Sequence, residues 1–396
     1  MTKKIFILCF ILGGTFILLL IPMFNYFVDP YSIFFTNNLH KYKHLNYRIT
    51  NSITLKIQEF DTLIIGTSRT QGAINPTNPN FAGRTYNISM SGSNVYEMEK
   101  VFDFAIHEQK HLDVIIYGVD FLTFVDTRYP GKQFNESLFN SHNNLYDTLY
   151  KHLFSTITLK DSIKTLRYNH KRKKSNYIYG YEKKRTPSNK ELNNNFKSIL
   201  TNNFLVNPGT YGCYSGHDNR LTLFSNILDL VYKKQVRLKL FIPPLHYRQY
   251  IALYHLGLLD IYFTWIKDIV NQVDRVNKLH TSDLIELYDF SGINHVTTEI
   301  LPRDGHGTME YHFESSHYTS KVGDLIINQL YGKNSFGTKL NNININLYVA
   351  SQKKKMMMFF DGQNDTMLEI KKLFTQTSTQ RRTNCAPYQN VLTKME

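Results

Sequence analysis

Thr62-Leu63-Ile64-Ile65-Gly66-Thr67-Ser68-Arg69 is the stretch on which the reading of this chain turns. Four residues, three of them strongly apolar, form a short run closed by glycine, the pattern of a buried strand. A hydroxyl residue, Ser68, then stands in the turn beyond the strand. Downstream, Tyr86-Asn87-Ile88 reads as a second short strand, ended by Ser89-Met90-Ser91-Gly92-Ser93. A helix follows, with Asn94 as N-cap and Glu97 at capping-box spacing. Its apolar positions Val95, Met98, Val101, Phe102 and Ala105 recur at helical intervals. Asp113-Val114-Ile115-Ile116-Tyr117-Gly118 is nearly continuous in apolar residues, as in a strand covered on both faces. Leu238–Ile242 and Ile285–Asp289 read as further strands, with helices at about 218–234, 247–257, 260–278 and 320–331 between and after them. Strands alternating with helices argue for an α/β fold, three layers deep, around a central parallel sheet.

The chain opens Met1-Thr2-Lys3-Lys4, and Ile5 to Met23 then carries no charge. That run of about 19 residues matches the length of a bilayer-spanning helix. It ends Leu20-Ile21-Pro22-Met23-Phe24-Asn25 rather than in small residues suited to cleavage, and so reads as a retained anchor. Lys3 and Lys4 favour a cytoplasmic N-terminus with the remainder outside, and Tyr26, Phe27 and Tyr31 suit an interfacial aromatic belt. The expected organisation is an anchor (1–23), a membrane-proximal stalk (24–58), an α/β domain (59–332) and a poorly ordered basic tail (333–396). An Asn/Lys/Tyr-rich insertion at about 126–214 includes His170-Lys171-Arg172-Lys173-Lys174. The tail carries Lys353-Lys354-Lys355-Met356-Met357-Met358 among many polar residues.

The net charge of +14 suits an anionic partner. An exported location and the absence of a recognisable binding motif argue against nucleic acid. Three cysteines, Cys9, Cys213 and Cys385, exclude a disulfide framework, and no Cys/His spacing suggests a metal site or other cofactor.

In an open parallel sheet, ligands bind beyond the carboxyl ends of the strands. Ser68, Gly92 and Asp120 each follow an expected strand at that end. Near the end of the domain, Glu314-Ser315-Ser316-His317 sets a carboxylate three residues before a histidine. His317 is the candidate base for Ser68, and Glu314 the group that orients His317. The backbone amides of Ser68 and Gly92 are candidate oxyanion donors. Asp304 with His306 is a competing acid–histidine pair.

These motifs resemble those of the SGNH (GDSL-like) hydrolase superfamily. The likeness is greatest to its membrane-anchored branch, which includes the D-alanine transfer proteins of teichoic acid modification and polysaccharide O-acetyltransferases. Ser68 matches the first-block serine, Gly92 the second-block glycine, and Glu314 with His317 the last-block acid-x-x-His, with glutamate for aspartate. The third block, normally Gly-x-Asn, reads Gly118-Val119-Asp120, and an ionised aspartate lacks the donor that asparagine offers an oxyanion. The resemblance implies a flavodoxin-like α/β/α domain and a serine esterase or O-acyltransferase acting on an anionic envelope glycan. It also implies a membrane-bound O-acyltransferase as supplier of the acyl group. Two other readings remain open: a catalytically weakened scaffold subunit of an envelope-assembly complex, and an anchored glycan-binding module.

Overall fold

A computed structural model describes residues 3–31, 33–34, 46–125, 130–131, 134–142, 144–171, 177–184, 187–206, 214, 216, 219–280, 283–302, 308–333 and 336–376. In chain order the elements begin with α1 (Lys3–Val28), α2 (Tyr47–Ile57), β1 (Thr62–Ile65), α3 (Ser68–Ala73), β2 (Thr85–Asn87), α4 (Val95–Glu108) and β3 (Val114–Gly118). They continue with α5 (Leu145–Leu153), α6 (Thr156–His170), β4 (Tyr177–Ile178), β5 (Tyr181–Glu182), α7 (Asn189–Thr201), α8 (Asn219–Lys233) and β6 (Arg237–Ile242). The last are α9 (Tyr247–His255), α10 (Leu259–His280), β7 (Ile285–Asp289), α11 (Ser320–Leu330), β8 (Thr338–Lys339), α12 (Ile345–Asp361) and α13 (Asn364–Gln376).

The chain divides into two compact units. The larger comprises Phe60–Ile106, Lys110–Phe134 and Ile178–Glu396. Its sheet runs β2-β1-β3-β6-β7-β8; the first five strands are parallel and only β8 is antiparallel, at the edge. The order reverses at β1, so the chain leaves β1 toward β2 and returns past it to β3. This makes the β1/β3 boundary the topological switch point, where doubly wound sheets bind ligands. Alternation along each strand sends side chains to both faces. On one face, Ile64, Ile116 and Phe241 pack with Ala73 and Ile74 at the end of α3 and with Val322, Ile326 and Leu330 of α11. On the other, the Tyr117 ring meets Phe102 of α4 at 5.1 Å and Phe224 of α8 at 6.5 Å. The sheet is thus covered by helices on both sides, which explains the near-continuous apolar runs of its central strands β1 and β3.

The expected disordered tail is corrected. Residues 338–339 add β8 to the sheet, with Leu340 N–H continuing the pairing to the Leu287 carbonyl at 2.8 Å. In α12 the buried positions are Ile345, Val349, Gln352, Met356 and Phe360, one or two per turn, so one narrow stripe is apolar. The Lys354-Lys355 pair lies outside that stripe and is exposed, which is why the segment looks like a basic tail when read linearly. α13 is fastened by Arg248 to Glu369 at 2.5 Å and by His255 Nε2 to the Met367 carbonyl at 3.0 Å. Residues 377–396 lie outside the described residues.

The smaller unit comprises Met1–Glu59, His107–Gln109 and Asn135–Tyr177. It corrects the expectation of a stalk at 24–58. Helix α1 continues past Pro22 to Val28, and α2 is buried along most of its length. Buried Asn25 donates to the Leu153 carbonyl at 2.7 Å and accepts from Ser162 Oγ at 2.9 Å. Tyr31 donates to Asp161 at 2.6 Å. Tyr31, Ile33 and Ile53 form a small core with Phe34, Ile49 and Leu149 packed against it. The insertion at 126–214 is therefore shared: residues 135–177 complete this unit, while 178–214 belong to the α/β unit. The stalk reading failed because α2 buries short polar side chains, Thr50, Asn51, Ser52 and Thr54, in place of an apolar stripe. Ile5–Met23 lies within α1, a helix long and apolar enough to cross a membrane and almost wholly exposed in its apolar part.

Candidate functional site

Ser68 is the first residue of α3, placed at the switch point by β1. The loops after β1, β2 and β3 are tied to one another there. Met90 N–H donates to the Gly66 carbonyl at 2.9 Å, holding the Gly92 loop beside the Ser68 turn. Thr67 Oγ1 donates to Asp120 Oδ2, joining the β1 and β3 loops. Gly66 and Gly118 permit this closeness, because a Cβ on either would stand within 2.3 Å of the Thr70 hydroxyl between them.

His317 reaches Ser68 from a distant part of the chain. Helix α11 begins three residues after it and packs on α3 through Gly323, where a Cβ would lie 2.1 Å from the Ala73 carbonyl oxygen. The loop before α11 is further fixed by Gln249 donating to Ser315 Oγ at 2.8 Å, and by His246 N–H donating to the Ser315 carbonyl at 3.2 Å.

The result is a hydrogen-bonded relay. Ser68 Oγ lies 2.8 Å from His317 Nε2, and His317 Nδ1 is hydrogen-bonded to Glu314 Oε1. The second oxygen of Glu314 accepts the Ser316 N–H at 2.6 Å. Burial alone would raise the Glu314 carboxyl. The nearby His317 charge, the His317 and Ser316 hydrogen bonds and the Lys184 ammonium outweigh it and hold the carboxyl below its ordinary value. Glu314 is thus an anion at neutral pH, suited to fix the His317 tautomer that presents a bare Nε2 to Ser68. Ser68 is half-buried and the His317 side chain 22% exposed, so the relay opens to solvent at its reactive end.

Gly92 is exposed in a turn at φ +72, a left-handed conformation that favours glycine, and nothing lies within 4 Å of where its Cβ would be. Among the described residues the Ser68 and Gly92 N–H groups have no acceptor, leaving both available to a ligand oxygen.

Asp120 does not sit as the sequence reading placed it. It is 1% exposed, and both its oxygens are engaged, Oδ2 by Thr67 and Oδ1 by the Arg69 guanidinium. An acceptor so occupied has nothing to donate to an oxyanion, and its charge is answered by Arg69 rather than directed at a substrate.

Two residues escaped the sequence reading. Arg69 is 4% exposed and joins Asp120 to Ser316 Oγ, which it reaches with Nε at 3.1 Å and Nη2 at 2.8 Å. It therefore connects the β3 loop to the residue preceding His317. Its position directly after Ser68 was the available signal, but nothing local says that this arginine turns inward. Lys184 comes from the insertion, and its stem lies against Gly72 of α3. Burial lowers its ammonium, with Glu314 and Glu182 acting against that and Arg69 with it. No sequence signal marks it. Asp304 and His306 lie outside the described residues, as do Cys213 and Cys385. No group of three or more His, Cys, Asp or Glu suited to a metal ion occurs among the described residues.

No protein-family model and no curated protein matches the chain.

Proposed function

We propose that the chain is a membrane-anchored serine esterase or O-acyltransferase of SGNH type, working outside the cytoplasm on an acyl ester of an anionic envelope glycan. The observation that carries the reading is the 2.8 Å contact of Ser68 Oγ with a histidine whose other nitrogen is held by a buried carboxylate. Supporting it are the placement of Ser68 at the switch point and the two free amides beside it. Lys3 and Lys4 ahead of the apolar segment of α1 support the orientation, and the +14 charge supports the anionic substrate.

In this mechanism Ser68 Oγ attacks the ester carbonyl carbon as its proton passes to His317 Nε2. The carbonyl oxygen takes the negative charge and accepts from the Ser68 and Gly92 amides. Collapse breaks the bond to the alcohol, which leaves with the proton from His317, and the acyl group stays on Ser68. A second hydroxyl, from water or a glycan, gives its proton to His317, attacks the acyl-serine and regenerates Ser68. With Asp120 unable to donate, the oxyanion has two backbone donors and no side-chain donor. The loss of one such donor costs about 10^2–10^3 in rate.

That same occupancy of Asp120 favours the second reading, a scaffold or glycan-binding subunit that keeps the fold without turnover. Intact-mass labelling of the full-length protein with a serine-directed phosphonate separates the two. The enzyme reading expects one adduct on Ser68, lost in Ser68→Ala. A wild-type protein that stays unlabelled at millimolar reagent, while correctly folded, would leave the scaffold reading in its place.

A further inference from the structure

In the smaller unit, the turn between α5 and α6 carries an unusual surface. Tyr146 and Tyr150 stand one helical turn apart on α5, with Phe154 a turn further on at its end, and they are 82%, 61% and 38% exposed. Ile157, in the first turn of α6, is 51% exposed. The Tyr150 and Phe154 rings lie 4.5 Å apart and so form one continuous apolar face. The opposite side of α5 is the folded one, where Thr148 and His152 are buried. An aromatic stripe facing water on a small helical unit needs an occupant.

Its position relative to α1 identifies that occupant. The turn is fastened to α1 at Asn25, which donates to the Leu153 carbonyl at 2.7 Å and to the Ser155 carbonyl at 3.4 Å. Asn25 is two residues beyond the end of the Ile5–Met23 segment and is the first amide or charged side chain after Lys4. At about 1.5 Å per residue this is about 3 Å along the helix axis. The polar zone on each side of the hydrocarbon core is about 5–7 Å deep. A turn held at Asn25 therefore lies at headgroup depth. Tyr26 and Phe27 on α1 are 39% and 61% exposed at the same level. Aromatic rings with one polar end favour that zone. The exposed Lys151 and Lys160 nearby suit anionic headgroups.

We infer that the α5–α6 turn is a second membrane contact: Tyr150, Phe154 and Ile157 dip into the headgroup–acyl boundary beside the anchor. The unit is thus held by a span and by an interfacial wedge, which restrains its tilt as a single span cannot. The inference rests on α1 crossing the bilayer, so the test reports on both.

Full-length protein is placed in nanodiscs made with phosphatidylcholine and phosphatidylglycerol, brominated at shallow or deep acyl carbons. Tryptophan is introduced singly as Phe154→Trp, Tyr150→Trp or Phe10→Trp. The native Trp265 is fully buried and supplies a constant background. The expected result is that shallow bromines quench at least half of the added emission from positions 154 and 150 and exceed deep bromines, while position 10 is quenched most by deep ones. Quenching at position 10 with none at 154 and 150 would overturn the wedge and leave the anchor standing. Absence of quenching at position 10 would remove the anchor, and the wedge with it.

Discussion

Ser68, His317 and Glu314 form one hydrogen-bonded relay, and under the proposed function their substitutions should show it acting as a unit. Ser68→Ala or His317→Ala is expected to remove about 10^4-fold or more of ester turnover, and the double variant little beyond that. Glu314→Gln should cost less, because the histidine keeps a hydrogen-bond partner but loses the charge that stabilises its protonated form. Asp120 is the instructive residue. Read as a cleft-lining carboxylate, it suggests that Asp120→Asn would relieve the oxyanion and raise the rate. Its engagement with Arg69 and Thr67 reverses that expectation. Removing one partner of a buried pair costs about 3–5 kcal/mol, because the other charge is left unanswered. Asp120→Ala should therefore lower the unfolding free energy by about that amount, with Asp120→Asn in between, and both should slow turnover. A denaturant titration together with an acetyl-ester assay checks this; a faster Asp120→Asn enzyme would refute it. Lys184→Met removes a positive charge that lowers the Glu314 carboxyl, so the carboxyl should titrate higher. A carboxyl-carbon NMR titration of the full-length protein checks this; a Glu314 carboxyl that does not move would exclude Lys184 as a source of its low value.

Among elements, β8, α12 and α13 overturn the expected boundary at Gly332. Met356, Ile370 and Phe374 are fully buried, so truncation after Gly332 would open the core instead of trimming a tail. Met356→Ala alone should cost about 2–5 kcal/mol. The truncated chain should unfold well below the full-length protein in a thermal melt. The same elements show what the sequence can carry. The strands β1 and β3 are legible because each is apolar on both faces and ends in a turn, whereas β8, two exposed polar residues, is not. Ser68 and Gly92 are legible because each stands in a turn after a short strand, and the Glu314/His317 pair because its spacing lets one loop carry both groups. Arg69 is not, since an arginine beside a turn serine reads equally well as solvated. Lys184 is not, because the loop bearing it has no period and its meeting with Gly72 depends on tertiary packing. α2 and α12 are missed for opposite reasons: one buries small polar groups, and the other hides a narrow apolar stripe behind lysines.

At the scale of the whole molecule, each unit carries a buried histidine that makes it sensitive to acid, His152 in the helical unit and His246 in the α/β unit. His152 lies in the helical unit, buried between Tyr31 and Thr158, and burial lowers its imidazole from 6.5 to about 4. The unfolded chain takes up that proton near pH 6.5 and the folded one only near 4. The contribution to stability is therefore complete above about 6.5 and declines as the pH falls toward 4, by about 3 kcal/mol in all. His152→Phe should flatten the loss between pH 7 and 4.5 in urea titrations of the full-length protein; an unchanged slope would exclude His152 as its source.

The relay itself spans 249 residues between Ser68 and His317. At synthesis rates of about 5–20 residues per second, roughly 12–50 s separate the appearance of the serine from that of its base. Throughout that interval Ser68 is an ordinary alcohol, because every group that would activate it is still to be made. Under the proposed function, the loop that carries His317 and the helix behind it therefore serve as a timer as well as a scaffold. On that reading a chain interrupted before His317 is chemically silent, and reactivity begins only when the loop that carries it closes on Ser68.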